Sequence, residues 1–121
     1  PRVAINPPWN GGFVWDTSPE GKTWLGVACE FEGADSWWPC KDHPSDEPDS
    51  VRIALTFPNP LFAASNGQYI GSTDNGDNTS THNWFVSTPI NNYNITFYAA
   101  DFALIEDEYI GIRGDTIPFY F

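Results

Sequence analysis

Apolar and polar positions alternate with a period of two along several short runs of this chain. Residues 51–57 (VRIALTF) place Val51, Ile53, Leu55 and Phe57 on one side and Arg52, Ala54 and Thr56 on the other. That is the signature of a half-buried strand. Residues 23–32 (TWLGVACEFE) tighten into the same pattern, with Val27, Cys29 and Phe31 alternating with Ala28, Glu30 and Glu32. The Glu side of this strand faces water or a cleft. Further strands are expected at 13–16, 61–64, 68–70, 81–87, 92–99 and 102–105. Beyond a turn at Glu106-Asp107, alternation resumes over 110–121.

Between these runs lie turn signals with known backbone preferences. They are Pro7-Pro8, Gly11-Gly12, Asn59-Pro60, Ser65-Asn66-Gly67 and the break at Pro89-Ile90-Asn91. The polar segment GSTDNGDNTS, residues 71–80, reads as a flexible hairpin tip. Residues 33–50 form an acidic loop in which Pro39, Pro44 and Pro48 deny regular hydrogen bonding. Strand after strand with frequent turns predicts an all-β, antiparallel sandwich in a single domain over 1–121. No internal repeat is visible. The chain opens in a loop and stops within an apolar strand, as expected of a piece of a larger domain.

Composition agrees. Eleven prolines and ten glycines in 121 residues disfavour helices, and an aromatic content of 17% supplies bulky material for a core. The formal charge of −11 argues against nucleic acid, which needs Lys and Arg to neutralise phosphate. No apolar run approaches the ~20 residues that span a bilayer. The opening PRVAINPPWNGG lacks the charged-then-apolar pattern of a signal peptide. It fits a mature chain whose leader has been removed, in a periplasmic or secreted protein.

Cys29 and Cys40 are too few for a disulfide framework and, with one histidine nearby, too few for zinc. Both read as buried small apolar residues, with a disulfide as the alternative in an oxidising compartment. The DHPSDEPD run (42–49) lacks the glycine of a calcium loop and reads as a solvated turn. His43 and His82 have no triad partners. Asn78-Thr79-Ser80 and Asn94-Ile95-Thr96 match the short glycosylation sequon.

Ala28-Cys29-Glu30-Phe31-Glu32-Gly33, followed by Trp37-Trp38-Pro39-Cys40-Lys41-Asp42, resembles the N-terminal domain of the aminopeptidase N family of zinc metallopeptidases. Asp46-Glu47-Pro48, residues 61–67 (LFAASNG), residues 84–97 (WFVSTPINNYNITF) and the opening PPWNGGFVW extend the resemblance in order. It implies the latter part of a saddle-like β-domain lying over a catalytic domain absent from this chain. Zinc is expected in that missing domain, and no cofactor or catalytic residue in this one, which has no HExxH and no GxMEN motif. The implied partners are the protein's own catalytic domain and peptide N-termini. The resemblance maps one substrate-binding residue, Glu30, whose carboxylate would hold the free α-ammonium of a peptide. Where the family often has Gln, two residues earlier, this chain has Ala28.

On the residues alone, Glu30 reads as a solvated strand Glu. Two further functions remain open: a secreted carbohydrate-binding β-sandwich using exposed Trp and Tyr, and a structural or adhesive domain. A fragment cut from a larger fold is expected to expose apolar surface and strand edges, and to self-associate through them.

Overall fold

The computed structural model describes residues 12–29, 33–41 and 43–120. Among them it is all-β, with antiparallel pairing throughout and helical turns of only three residues, at Ala34–Ser36 and Asn92–Asn94. Strands β1 (Gly12–Thr17), β2 (Thr23–Ala28), β4 (Phe62–Ser65) and β7 (Phe97–Ala100) form one sheet in the order β1-β2-β7-β4. Strands β3 (Val51–Pro58), β5 (Gln68–Asp74) and β6 (Thr79–Val86) form a second, ordered β3-β6-β5. A separate two-stranded hairpin is made of β8 (Glu106–Ile110) and β9 (Thr116–Tyr120).

Alternation explains how the two larger sheets face each other. The odd side chains of β3 point inward, and so do His82, Trp84 and Val86 of β6, all buried. One core gathers Leu25, Val27, Cys29, Ala63, Phe97 and Ala99. Phe97 is its centre: the rings of Phe13, Trp37 and Phe57 lie 5.2, 5.4 and 5.6 Å from it. A second core is built on Ile53, Trp84 and Ile95. Leu55 and Trp37 pack against both. Burial of each large side chain in these cores contributes about 1.5–3 kcal/mol.

Strand β4 lies between the cores, with Ala63 in the first and Phe62 and Ala64 against the second. The indole of Trp84 donates to the Ala63 carbonyl at 2.9 Å, tying the second sheet to the first. The Ser65-Asn66-Gly67 turn is a corner between sheets, since β4 and β5 belong to different ones. Its residues clasp the strand entering β7: Ser65 Oγ donates to the Thr96 carbonyl at 2.7 Å, and Thr96 N–H donates to Asn66 Oδ1 at 2.8 Å. Gly67 is required here, with φ +86° and the Phe85 carbonyl oxygen 2.3 Å from where a Cβ would stand.

Several expected boundaries shift. The polar run 71–80 is mostly strand, because residues 71–74 pair antiparallel with β6 (Ser72 with His82, Thr73 with Thr81, Asp74 with Ser80) on a sheet face that polar residues suit, leaving only 75–78 as the tip. A register shift between Tyr69 and Gly71 leaves Ile70 unpaired and exposed, while Tyr69 stays inward against Trp84 at 4.9 Å. Residues 92–94 form a 3-10 turn where strand was expected, and β7 begins only at Phe97. Residues 102–105 are not strand, whereas Glu106-Asp107, expected as a turn, opens β8.

Candidate functional site

Glu30, the one residue expected to meet substrate, lies outside the described residues, as do Phe31, Glu32 and Asp42. What borders it is well defined. Cys29 is 6% exposed and belongs to the first core. Gly33, with φ +79°, donates its N–H to the Cys29 carbonyl at 3.1 Å. The 3-10 turn that follows carries Ser36 Oγ back to the Gly33 carbonyl at 2.7 Å and leads into Trp37. Trp37 is anchored from its other edge, donating Nε1–H to the Ile95 carbonyl at 3.0 Å.

Cys29 and Cys40 are thiols, with no disulfide between them. Burial pushes the Cys29 thiol up to about 11, and the neighbouring Cys40 adds to the rise, while a contact with Trp37 opposes it. A protonated, enclosed thiol of this kind packs as a small apolar group and is a poor nucleophile.

The acidic loop is fastened by a residue far away in sequence. Asn92, 2% exposed, donates from Nδ2 to the Lys41 carbonyl at 2.7 Å and to the His43 carbonyl at 3.3 Å. His43 itself is exposed and makes local contacts, its Nδ1 lying 2.7 Å from Ser45 Oγ. His82 is 5% exposed and sits between the rings of Phe62 and Tyr69, at 4.6 and 6.5 Å. Its Nδ1 is 3.5 Å from the Tyr69 hydroxyl. Nε2 is buried without a well-formed hydrogen bond, although the Leu61 backbone lies close enough to favour the charged ring in part. Burial outweighs this and holds the His82 pKa below its usual value.

Among the described residues, no three His, Cys, Asp or Glu side chains gather where they could hold a metal ion. His43 is committed to a surface turn and His82 to an aromatic cluster. The tryptophans are mostly structural. Among the described residues, Trp37, Trp38 and Trp84 pack into the cores, Trp24 lies tilted against Tyr98 with ring centres 5.6 Å apart, and Trp15 is exposed. Sequence reasoning missed the roles of Asn92 and His82. Both sit within runs that looked like ordinary strand, and their partners are distant in sequence.

No helix among the described residues is long and apolar enough to cross a membrane. Large apolar side chains stay exposed on the hairpin, among them Tyr109, Ile110, Ile112 and Ile117.

No protein-family model and no curated protein sequence matches the chain. Solved structures do. One is an M1 zinc metallopeptidase from Deinococcus radiodurans, 21% identical, with a TM-score of 0.68 over 93% of this chain and 24% of that one. A mutant M1 zinc metallopeptidase from the same organism, bound to a Tyr-Ser-Ala substrate, is 21% identical with a TM-score of 0.71, over 97% of this chain and 26% of that one. A two-domain M1 zinc metallopeptidase mutant bound to L-tryptophan is 21% identical with a TM-score of 0.73, over 99% of this chain and 27% of that one. The chain therefore spans about a quarter of the length of these structures and shares the all-β fold of that part of them.

Proposed function

We propose that this chain is the non-catalytic N-terminal β-domain of a zinc aminopeptidase, and that it covers the active site and anchors the free α-amine of peptide substrates through Glu30. The observation that carries the reading is the near-complete superposition of the chain on part of M1 zinc metallopeptidases, with TM-scores of 0.68 to 0.73. The family-like motifs Ala28-Cys29-Glu30 and Trp37-Trp38-Pro39-Cys40, in the same order along the chain, support it. Zinc and the hydrolytic residues belong to a catalytic domain outside this chain.

An exopeptidase must measure the distance from a free ammonium to the scissile carbonyl. A carboxylate whose chain neighbour, Cys29, is packed in the first core is suited to that task. In the proposed complex Glu30 accepts charge-assisted hydrogen bonds from the ammonium and sets the register of the peptide for the zinc centre. Such a bond is worth roughly 1.5–3 kcal/mol, a preference of about tenfold to a hundredfold for an unblocked N-terminus.

The exposed apolar hairpin residues are the surface assigned to the catalytic domain. In the isolated chain the same surface is the route to self-association. In the full-length enzyme, Glu30→Ala is expected to lower kcat/KM on free-amine peptides by about ten- to a hundredfold. N-acetylated substrates would change little. An unchanged kcat/KM on free-amine peptides removes Glu30 from the mechanism.

A further inference from the structure

The second core is open on one side. A cavity of about 260 Å³ lies over Trp84, walled by Phe62, Tyr98, Phe102, Leu104 and Tyr120. Its floor offers no free polar edge, because the Trp84 Nε1–H is already given to the Ala63 carbonyl. Tyr120 stands edge-on to Trp84 at 5.6 Å and to Tyr69 at 6.4 Å. The rim is irregular chain, residues 102–104, with both Phe102 and Leu104 part-exposed. A cavity of ~150 Å³ lined by aliphatic and aromatic groups holds benzene. The larger volume here suits a two-ring aromatic system.

The cavity has a charged neighbour. A polar hollow formed by Glu106, Asp107, Glu108 and Pro118 shares Tyr120 as its common wall with the cavity. Antiparallel pairing sets Glu106 opposite Tyr120 and Glu108 opposite Pro118, so both glutamates share the hairpin face whose Tyr120 ring packs on Trp84.

We infer that the Trp84 cavity and the adjoining Glu106 and Glu108 carboxylates form a two-part binding site for a small aromatic amine, ring in the cavity and ammonium at the carboxylates. This site is independent of the role assigned to Glu30. Its selectivity has a simple origin. The apolar pocket accepts any flat neutral ring, and the carboxylates favour a cationic tail and repel an anionic one.

The test is a titration of the 121-residue chain with tryptamine, indole and indole-3-propionate, followed by NMR on the Trp84 Nε1–H and the amides of residues 102–104. Tryptamine is expected to bind most tightly, indole about fivefold more weakly, and indole-3-propionate more weakly still. Added salt should draw the three together. Ala103→Phe, at an exposed position lining the cavity, should abolish binding of all three. Replacing both glutamates at once, Glu106→Lys with Glu108→Lys, alters only exposed side chains and should invert the preference toward indole-3-propionate. Equal binding of tryptamine and indole-3-propionate overturns the proposal. So does an unaltered order in the double Lys variant, or shifts confined to residues away from the cavity.

Discussion

Replacing Gly67 by alanine tests whether the corner between the two sheets is as tight as its geometry indicates. Two costs fall on this position. A left-handed φ of +86° is unfavourable for any residue with a Cβ, by about 1 kcal/mol. The added carbon would also stand 2.3 Å from the Phe85 carbonyl oxygen and 2.8 Å from the Val86 nitrogen, where real Cβ atoms stay beyond about 3.0 Å. Those atoms belong to the backbone of β6, the central strand of its sheet, so relief requires a shift of paired strands. Overpacking of that kind costs about 1–3 kcal/mol more. Gly76→Ala is the internal control. Its φ is +77°, and nothing lies within 4 Å of the added carbon. Both substitutions restrict the unfolded chain equally, so that effect cancels between them. In a domain of this size 1 kcal/mol moves Tm by roughly 3–5 °C. Thermal unfolding followed by circular dichroism should show Gly76→Ala lowered by about 4 °C and Gly67→Ala by about 10 °C or more. Equal losses in the two proteins would refute the reasoning, since the conformational cost alone would then account for both.

The His82 pKa is held below 6.5 in the folded state, so the unfolded chain takes up the proton first as pH falls. Stability should therefore drop as pH moves from about 7 through 6.5 toward the folded value, and urea midpoints for His82→Phe should be flatter across that window. With a thiol pKa near 11, Cys29 should be alkylated by iodoacetamide at pH 8 about a hundredfold more slowly than an unhindered cysteine peptide, as read by mass spectrometry. Asn92→Ala leaves the carbonyls of Lys41 and His43 without their buried donor. It should cost about 1–3 kcal/mol in urea unfolding and speed amide exchange through residues 43–48.

Strands whose side chains divide cleanly between core and solvent were legible in the sequence. Residues 51–57 and 81–87 are the plainest cases, because one face of each is buried against the opposite sheet. The segment 102–105 was misread for a physical reason: Phe102 and Leu104 are apolar because they wall a cavity, not because they pair in a sheet. Asn92 looked like a strand residue, yet its amide serves carbonyls some fifty positions away, which local pattern does not encode. The turn at Ser65-Asn66-Gly67 was evident, but its use as a corner depends on Phe85, a contact visible only in three dimensions. The chemistry proposed for Glu30 came from motif resemblance. Alternation alone gave that residue an exposed face and no task.

The position of β7 governs the order in which a nascent chain can complete this fold. β7 lies inside its sheet, joining Leu25 to Ala99 on one side and Ala63 to Ala99 on the other. The β3-β6-β5 sheet needs nothing beyond residue 86, so it can close while translation continues. Its partner stays in two pieces, a β1-β2 ribbon and a lone β4, until residues 97–100 leave the ribosome. Phe97, around which three aromatic rings converge, arrives with that last strand. Loop closure across more than seventy residues is slow, and until it happens the first core stays wet. The interval in which the first core is open to chaperones and proteases is set by β7, the last strand to join its sheet.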